Sequence, residues 1–283
     1  MRKALAACGF LLLLSGGLAA AASPGAVLDT TFVANEGFLI AGGGKKVLID
    51  ALYGNGREYG TPPPEVKSRM MAGEKPFDGV DLVLVTHRHF DHADAQIVLD
   101  YLRAHPKTKL VSHKQFVDDM RAKPDFDAVA GQIEEIATEP GEPSSLTVNG
   151  ITVDILCLDH SHSPDRVAET RNLAFAVKLG GVRFLHLGDA IMAQNMAALE
   201  AFSFEAKPVD LLFLLREDRS PAAQKLIAER IKPAAIVAMH IPEAQMAQYR
   251  ELIGAVYPHA VLFANPMETA RFSGGALGPV TAP

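Results

Sequence analysis

The sequence predicts an α/β protein, and three observations carry that reading. In the last third, apolar runs at 209–214, 234–239 and 260–264 alternate with stretches of helical spacing at 221–231 and 242–257. Upstream, apolar runs pair as hairpins across Gly42-Gly43-Gly44, Asn149-Gly150 and Gly180-Gly181. Between these, residues 80–85 (VDLVLV) read as a buried strand, and Ile97, Val98, Tyr101 and Leu102 then recur at helical spacing until Pro106 stops the pattern. A chain of 283 residues with 48% hydrophobic content can bury a large core, and no composition shift divides it. One domain over residues 23–273 is expected.

Ahead of that domain, Arg2 and Lys3 precede an apolar stretch at 4–14 and small residues at 15–22, with Ala20-Ala21-Ala22 before Ser23. This is the layout of an export signal ending at residue 22. A membrane anchor needs about 20 apolar residues, more than this stretch supplies. Leu5-Ala6-Ala7-Cys8 resembles a lipoprotein box, but a cut there would leave the Leu11 to Leu14 core of the signal on the product. The mature protein is therefore expected in the periplasm or secreted, with no stable membrane insertion. Cys157 is then its one cysteine, so no internal disulfide can form, and its apolar run marks it as a core residue. A net charge of −6 without a basic run gives no footprint for nucleic acid.

Taken in order, 38–40 and 47–50 form the first hairpin, closed by Asp50. Residues 54–78 carry Pro62-Pro63-Pro64 and a short helical stretch, 65–71; a long connection of this kind tends to line a pocket, with Met70, Met71 and Phe77 as an apolar wall or as packing. After the strand at 80–85 comes THRHFDHAD, in which His87, His89, Asp91 and His92 fall within six residues. Alternate side chains of an extended segment share one side, so His87 and His89 can face one cation while Asp91 and His92 turn toward a second. Imidazole with carboxylate suits zinc, and also iron, manganese or nickel. The competing reading, a solvated turn with incidental histidines, does not account for so dense a set at a strand end. Strands at 109–112 and 133–137, the latter edge-like, flank a helix at 115–123, and His113 has no metal-capable neighbour in sequence. The hairpin 145–158 delivers Asp159-His160-Ser161-His162, and the hairpin 173–187 empties into Gly188-Asp189, with His186 just before it. The strand 234–239 ends in His240, Ser220-Pro221 starts a helix, and the Gly-, Pro- and Ala-rich tail 274–283 reads as disordered.

These motifs together resemble the metallo-β-lactamase superfamily in its dinuclear HxHxDH form. The likeness runs from THRHFDHAD through DHSH (159–162), HLGDA (186–190) and AMHIP (238–242), in the family's order. The opening "NEGFLI…VLIDA" and the last two elements look most like the group that includes ascorbate-phosphate lactonase-like hydrolases. The resemblance implies a four-layer αβ/βα sandwich, the metallo-β-lactamase fold, and a site assembled along one edge of two packed sheets. It implies His87, His89 and His160 on a first ion, Asp91, His92 and His240 on a second, and Asp189 as the carboxylate shared by both. His160 is preferred to His162 for its place directly after the strand. An acidic residue at a position like that of Asp50 buttresses a metal-bound histidine in this family, while a turn or cap role is the alternative.

The expected cofactor is a pair of divalent cations, with Zn2+ foremost. About 3.5 to 4 Å apart, two such ions can share a water and lower its pKa from 15.7 toward roughly 7. Asp91, close to both, can orient the nucleophile or shuttle a proton. The reaction expected is hydrolysis of a small-molecule lactone, ester, amide or phosphoester. Arg166 and Arg171 are the nearest basic residues for a substrate anion, against a solvated-loop reading. Two other classes compete: a metal-loaded binding or sensor protein, which an intact ligand set disfavours, and a diiron redox enzyme, whose HxExD pattern is broken here by His89.

Overall fold

The computed structural model describes residues 25–160 and 170–283; the expected export signal, 1–22, lies outside them. The chain opens with three antiparallel strands, β1 (Val27–Ala34), β2 (Gly37–Gly42) and β3 (Lys45–Ile49). Helix α1 (Pro64–Ala72) leads to β4 (Leu82–Val85), and α2 (Ala95–Ala104), β5 (Lys109–His113), α3 (Lys114–Arg121) and β6 (Ile133–Ile136) follow. Strands β3 to β6 run parallel, because helices cross between them.

The second half repeats the plan. Hairpins β7 (Pro143–Val148) with β8 (Ile151–Asp159) and β9 (Arg171–Leu179) with β10 (Val182–His186) give an antiparallel block. Then α4 (Met196–Ala201), β11 (Leu211–Leu215), α5 (Pro221–Leu226), β12 (Ala235–Met239), α6 (Met246–Gly254) and β13 (Val261–Leu262) extend the sheet in parallel. Strands β14 (Thr269–Ser273) and β15 (Ala276–Leu277) return to the first sheet beside β1. The sheet orders are β15-β14-β1-β2-β3-β4-β5-β6 and β13-β12-β11-β10-β9-β8-β7.

Strand periodicity assigns the layers. In β4, Leu82 and Leu84 enter the core between the sheets, while Val83 and Val85 pack under α1 to α3. In β11, Leu211 and Phe213 face the first sheet, whereas Leu212 and Leu214 face α4 to α6. Three apolar layers thus separate four structural ones, the αβ/βα sandwich the sequence resemblance implies. Strands buried on both faces read as unbroken apolar runs, which is why 80–85 and 209–214 are legible.

One expectation changes, and one open alternative is decided. The tail 274–283 is ordered, not disordered: β15 pairs with β14, and Thr281 exchanges backbone hydrogen bonds with Thr269 at 2.8 and 3.0 Å. Its glycines turn the hairpin instead of loosening it, Gly274 and Gly275 both having positive φ. Met70 and Phe77 pack in the core beneath the first sheet with Met71 against it, so they form no pocket wall. Cys157 lies in the inter-sheet core, where burial pushes its thiol up to about 12. Among the described residues no helix is long and apolar enough to cross a membrane.

One buried acid braces the segment after β10. Asp218 accepts from the Met192 N–H at 2.7 Å, and burial raises its carboxyl to about 8. The folded protein therefore keeps a proton there that the unfolded chain loses above its ordinary value near 4, so this residue lowers stability as pH climbs from about 4 to 8. Asp218→Asn removes that titration. Its unfolding free energy relative to the parent, measured in urea, is expected to rise across that interval; a pH-independent difference would contradict the account.

Candidate metal centre

Every expected ligand stands at or just beyond the carboxyl end of a strand, the edge where open α/β sheets bind ligands. Parallel pairing of β3 and β4 sets Asp50 beside Thr86. The Thr86 N–H donates to Asp50 Oδ1 at 2.9 Å and its hydroxyl to Oδ2 at 2.6 Å. Having given its proton to Asp50, the Thr86 oxygen accepts from His87 Nδ1–H at 3.1 Å. Asp50 Oδ2 also accepts from His92 Nδ1–H at 3.0 Å. Both rings are thereby held as tautomers with the Nε2 lone pair free to bind a cation. Asp50 is the buttress the resemblance implies.

The Nε2 atoms of His87 and His92 are buried and, among the described residues, have no hydrogen-bond partner. They face the two oxygens of Asp189 separately. His87 Nε2 and His160 Nε2 lie 3.7 and 3.2 Å from Asp189 Oδ2; His92 Nε2 and His240 Nε2 lie 3.5 and 3.6 Å from Oδ1. Asp91 Oδ2 stands 3.8 Å from His92 Nε2 and 3.6 Å from His240 Nε2. Ligands bound at about 2.0–2.1 Å in tetrahedral array are roughly 3.4 Å apart, so these spacings fit cations in the gaps. The ligand atoms of His87, His89, His160 and Asp189 fall within 4.8 Å of one another, as do those of Asp91, His92 and His240. All seven expected residues converge, in the two groups expected. His162 and Arg166 lie outside the described residues.

Charge agrees with geometry. Burial, then the neighbouring His92, holds His87 well below the usual histidine range, and burial with His160 brings His89 down to about 4. Both are neutral at neutral pH, as ligands must be. Burial would lower His92 too, but the Asp189 and Asp50 carboxylates outweigh it and hold the ring well above its ordinary value, a demand for positive charge that a cation can meet. Asp50, Asp91, Asp189 and Glu36 are all buried, and among the described residues only histidines form ion pairs with them.

Several contributors carry no sequence signal of their own. Asn172 accepts from the Asp189 N–H at 3.0 Å and donates to Leu187 O at 2.7 Å, fixing the turn. Gly188 has φ 56°, and a Cβ there would meet Asn172 Oδ1 at 2.4 Å. His186, just before the Asp189 turn, lies beside Asp50 and Glu36 and bridges backbone: it accepts from Gly188 N–H at 3.2 Å and donates to Glu36 O at 3.1 Å, with burial lowering it to about 4. Asn35, in the β1–β2 turn, donates to Asp91 O at 3.1 Å. His113 caps α3 by accepting from the Gln115 N–H, and Arg171 pairs with Glu139 at 2.8 Å.

Above the ligands opens a cleft of about 170 Å³, floored by His89, Asp91, Asp189 and His240 and walled by Arg57 to Tyr59 and Phe90. Tyr59 stacks on His240 at 4.0 Å between ring centroids, and the Arg57 guanidinium sits 4.1 Å over the Phe90 ring. The long connection 54–78 thus reaches the pocket through Arg57 to Tyr59.

Residues 29–240 match the family model of the beta-lactamase superfamily domain. A metal-dependent hydrolase of Thermococcus kodakarensis is 28% identical over 237 residues, covering 81% of this chain and 93% of its own. Among solved structures, an isothiocyanate hydrolase from Delia radicum gut bacteria aligns with TM-score 0.58 at 17% identity, over 87% of this chain and 99% of that one. A metallo hydrolase from Ignicoccus hospitalis aligns with TM-score 0.52 at 19% identity, over 87% and 99%. These last two likenesses concern the fold.

Thr86 yields a direct test. Thr86→Val keeps the side-chain shape but removes the oxygen that orients His87 and serves Asp50, so metal affinity is expected to fall about 10–100-fold, as for comparable outer contacts. Competition with a chromophoric chelator measures it; unchanged affinity would remove Thr86 from the account.

Proposed function

This chain belongs to the metallo-β-lactamase superfamily and is a metal-dependent hydrolase, and on that premise we propose that it uses two zinc ions to hydrolyse a small lactone, ester, amide or phosphoester after export. The observation that carries the two-ion reading is the division of Asp189, one oxygen toward His87 and His160 and the other toward His92 and His240. Nitrogen-rich ligation with carboxylate oxygens is what zinc accepts most readily. Such a pair supplies an ionised water at neutral pH and charge to balance a developing oxyanion.

The protein's own groups do the rest. Asp91, with Oδ2 facing His92 and His240 and its carboxylate on the cleft floor, can take a proton from the nucleophile and return it to the leaving group. The His92 and His240 pairings outweigh burial and keep that carboxyl below its usual range, so it is ionised and ready to accept. Tyr59 and Phe90 place aromatic rings at the rim, and a cleft of about 170 Å³ suits a small molecule. An open cleft over a full ligand set supports turnover in preference to a sensor role. His89 in place of a glutamate supports hydrolysis in preference to diiron redox chemistry. Residues 1–22 support export by their pattern of charge, apolar core and small residues.

Elemental analysis of the mature protein, followed by a panel of lactones, esters, amides and phosphoesters, tests this proposal. Two zinc equivalents and chelator-sensitive hydrolysis are expected. His89→Ala and Asp189→Ala should each lose bound metal and reduce kcat/KM by about 100-fold or more, beyond the usual range for outer contacts. If either variant kept full metal content and full activity, the ligand assignment would be wrong.

A further inference from the structure

Glu36 is a residue of the centre that neither the metal motifs nor the comparisons account for. It is fully buried, and among the described residues no N–H or hydroxyl donor reaches either carboxyl oxygen. Its place is fixed from both sides. Asn35, at φ 51°, turns β1 into β2 and holds the metal loop through Asp91 O, while His186, at the end of β10, donates to the Glu36 carbonyl. The turn is thereby tied to both sheets, and the side chain is held against the ligands.

One grouping locates the carboxyl: a Glu36 oxygen falls within 4.8 Å of ligand atoms of both Asp189 and His240. Oε2 also lies 3.8 Å from His92 Nδ1, on the side of that ring that faces Asp50. Asp189 Oδ1, His92 and His240 surround the second gap, whereas His87, His89 and His160 surround the first. Glu36 therefore belongs to the second group. Desolvation, reinforced by Asp189 and Asp50, strongly disfavours an isolated charge at Glu36. Two divalent cations balance the charges of Asp50, Asp91, Asp189 and Glu36 when all four are ionised.

We propose that Glu36 is a further carboxylate ligand of the second cation, beside Asp91, His92, Asp189 and His240. The inference rests on the two-ion reading above. It makes the two positions unlike: the first is rich in imidazole, the second in oxygen, so the second should be more tolerant of a harder divalent ion.

Glu36→Gln is the deciding variant, because glutamine has the shape and hydrogen-bonding capacity of a neutral glutamic acid but carries no charge. Apoprotein of the full mature chain is titrated with Zn2+ by calorimetry and, in parallel, with Co2+, whose visible absorption strengthens as coordination number falls. The first ion is expected to bind as in the parent. The second should weaken about 100-fold or more, and the cobalt absorption of the second equivalent should intensify. Two ions bound within threefold of parental affinity, with an unaltered cobalt spectrum, would overturn the inference while leaving the two-ion reading intact. A parent chain taking up fewer than two ions would overturn both. Should Glu36→Gln fail to fold, Glu36→Asp retains the charge but draws it back by one methylene; weakened second-ion binding supports the inference, and unaltered binding overturns it.

Discussion

A buried carboxylate must be surrounded by donors or cations, and Asp50 is surrounded by groups that the site needs held still. Its oxygens accept from the Thr86 backbone, the Thr86 hydroxyl and His92 Nδ1–H. Through Thr86 the same carboxylate sets His87 as well. One acidic side chain thus decides the tautomer of a histidine in each half of the centre. It can do so only because β3 and β4 run parallel and adjacent, ending level with each other. Removing Asp50 would leave the two imidazoles without a fixed proton and their Nε2 lone pairs without a direction.

The sandwich serves that constraint. Each half contributes an antiparallel block followed by parallel strands, and the two halves bring their strand ends to one edge. The first sheet supplies His87, His89, Asp91 and His92 from the loop after β4. The second supplies His160, Asp189 and His240 from the ends of β8, β10 and β12. Asp189 then stands between the groups, one oxygen to each. The inter-sheet core, including Phe38, Phe175, Phe184 and Phe213, keeps the two edges in register. The His186 to Glu36 hydrogen bond joins them directly beneath the ligands.

Much of this is legible in the sequence where the signal is local. The HxHxDH cluster, the Asn149-Gly150 hairpin and the alternating last third depend on neighbours within a few residues. So do the strand ends that carry His160, Asp189 and His240, since an apolar run stops visibly at each. Thr86, Asn172, Asn35 and Glu36 depend instead on which strands become neighbours. Asn172 and Asp189 meet because β9 and β10 form a hairpin, and Glu36 meets His186 across the two sheets. The alternation of β1 is blurred by Asp29, Thr30 and Thr31, which leaves its turn unmarked. The tail misled because a Gly-Gly turn closing a short hairpin has the same composition as a flexible end.

One fold hosts many chemistries, so the ligands alone do not specify a substrate. Arg57, Tyr59 and Phe90 provide a cation and two aromatic faces at the cleft wall. In the function proposed above, separate loops build one paired-cation centre. Anomalous X-ray diffraction from crystals of the zinc-loaded protein, collected on both sides of the zinc edge, tests it most directly. Two peaks about 3.5 to 4 Å apart are predicted, one among His87, His89 and His160 and the other among Asp91, His92 and His240, with Asp189 reaching both. A single peak, or zinc located away from these residues, would contradict the account.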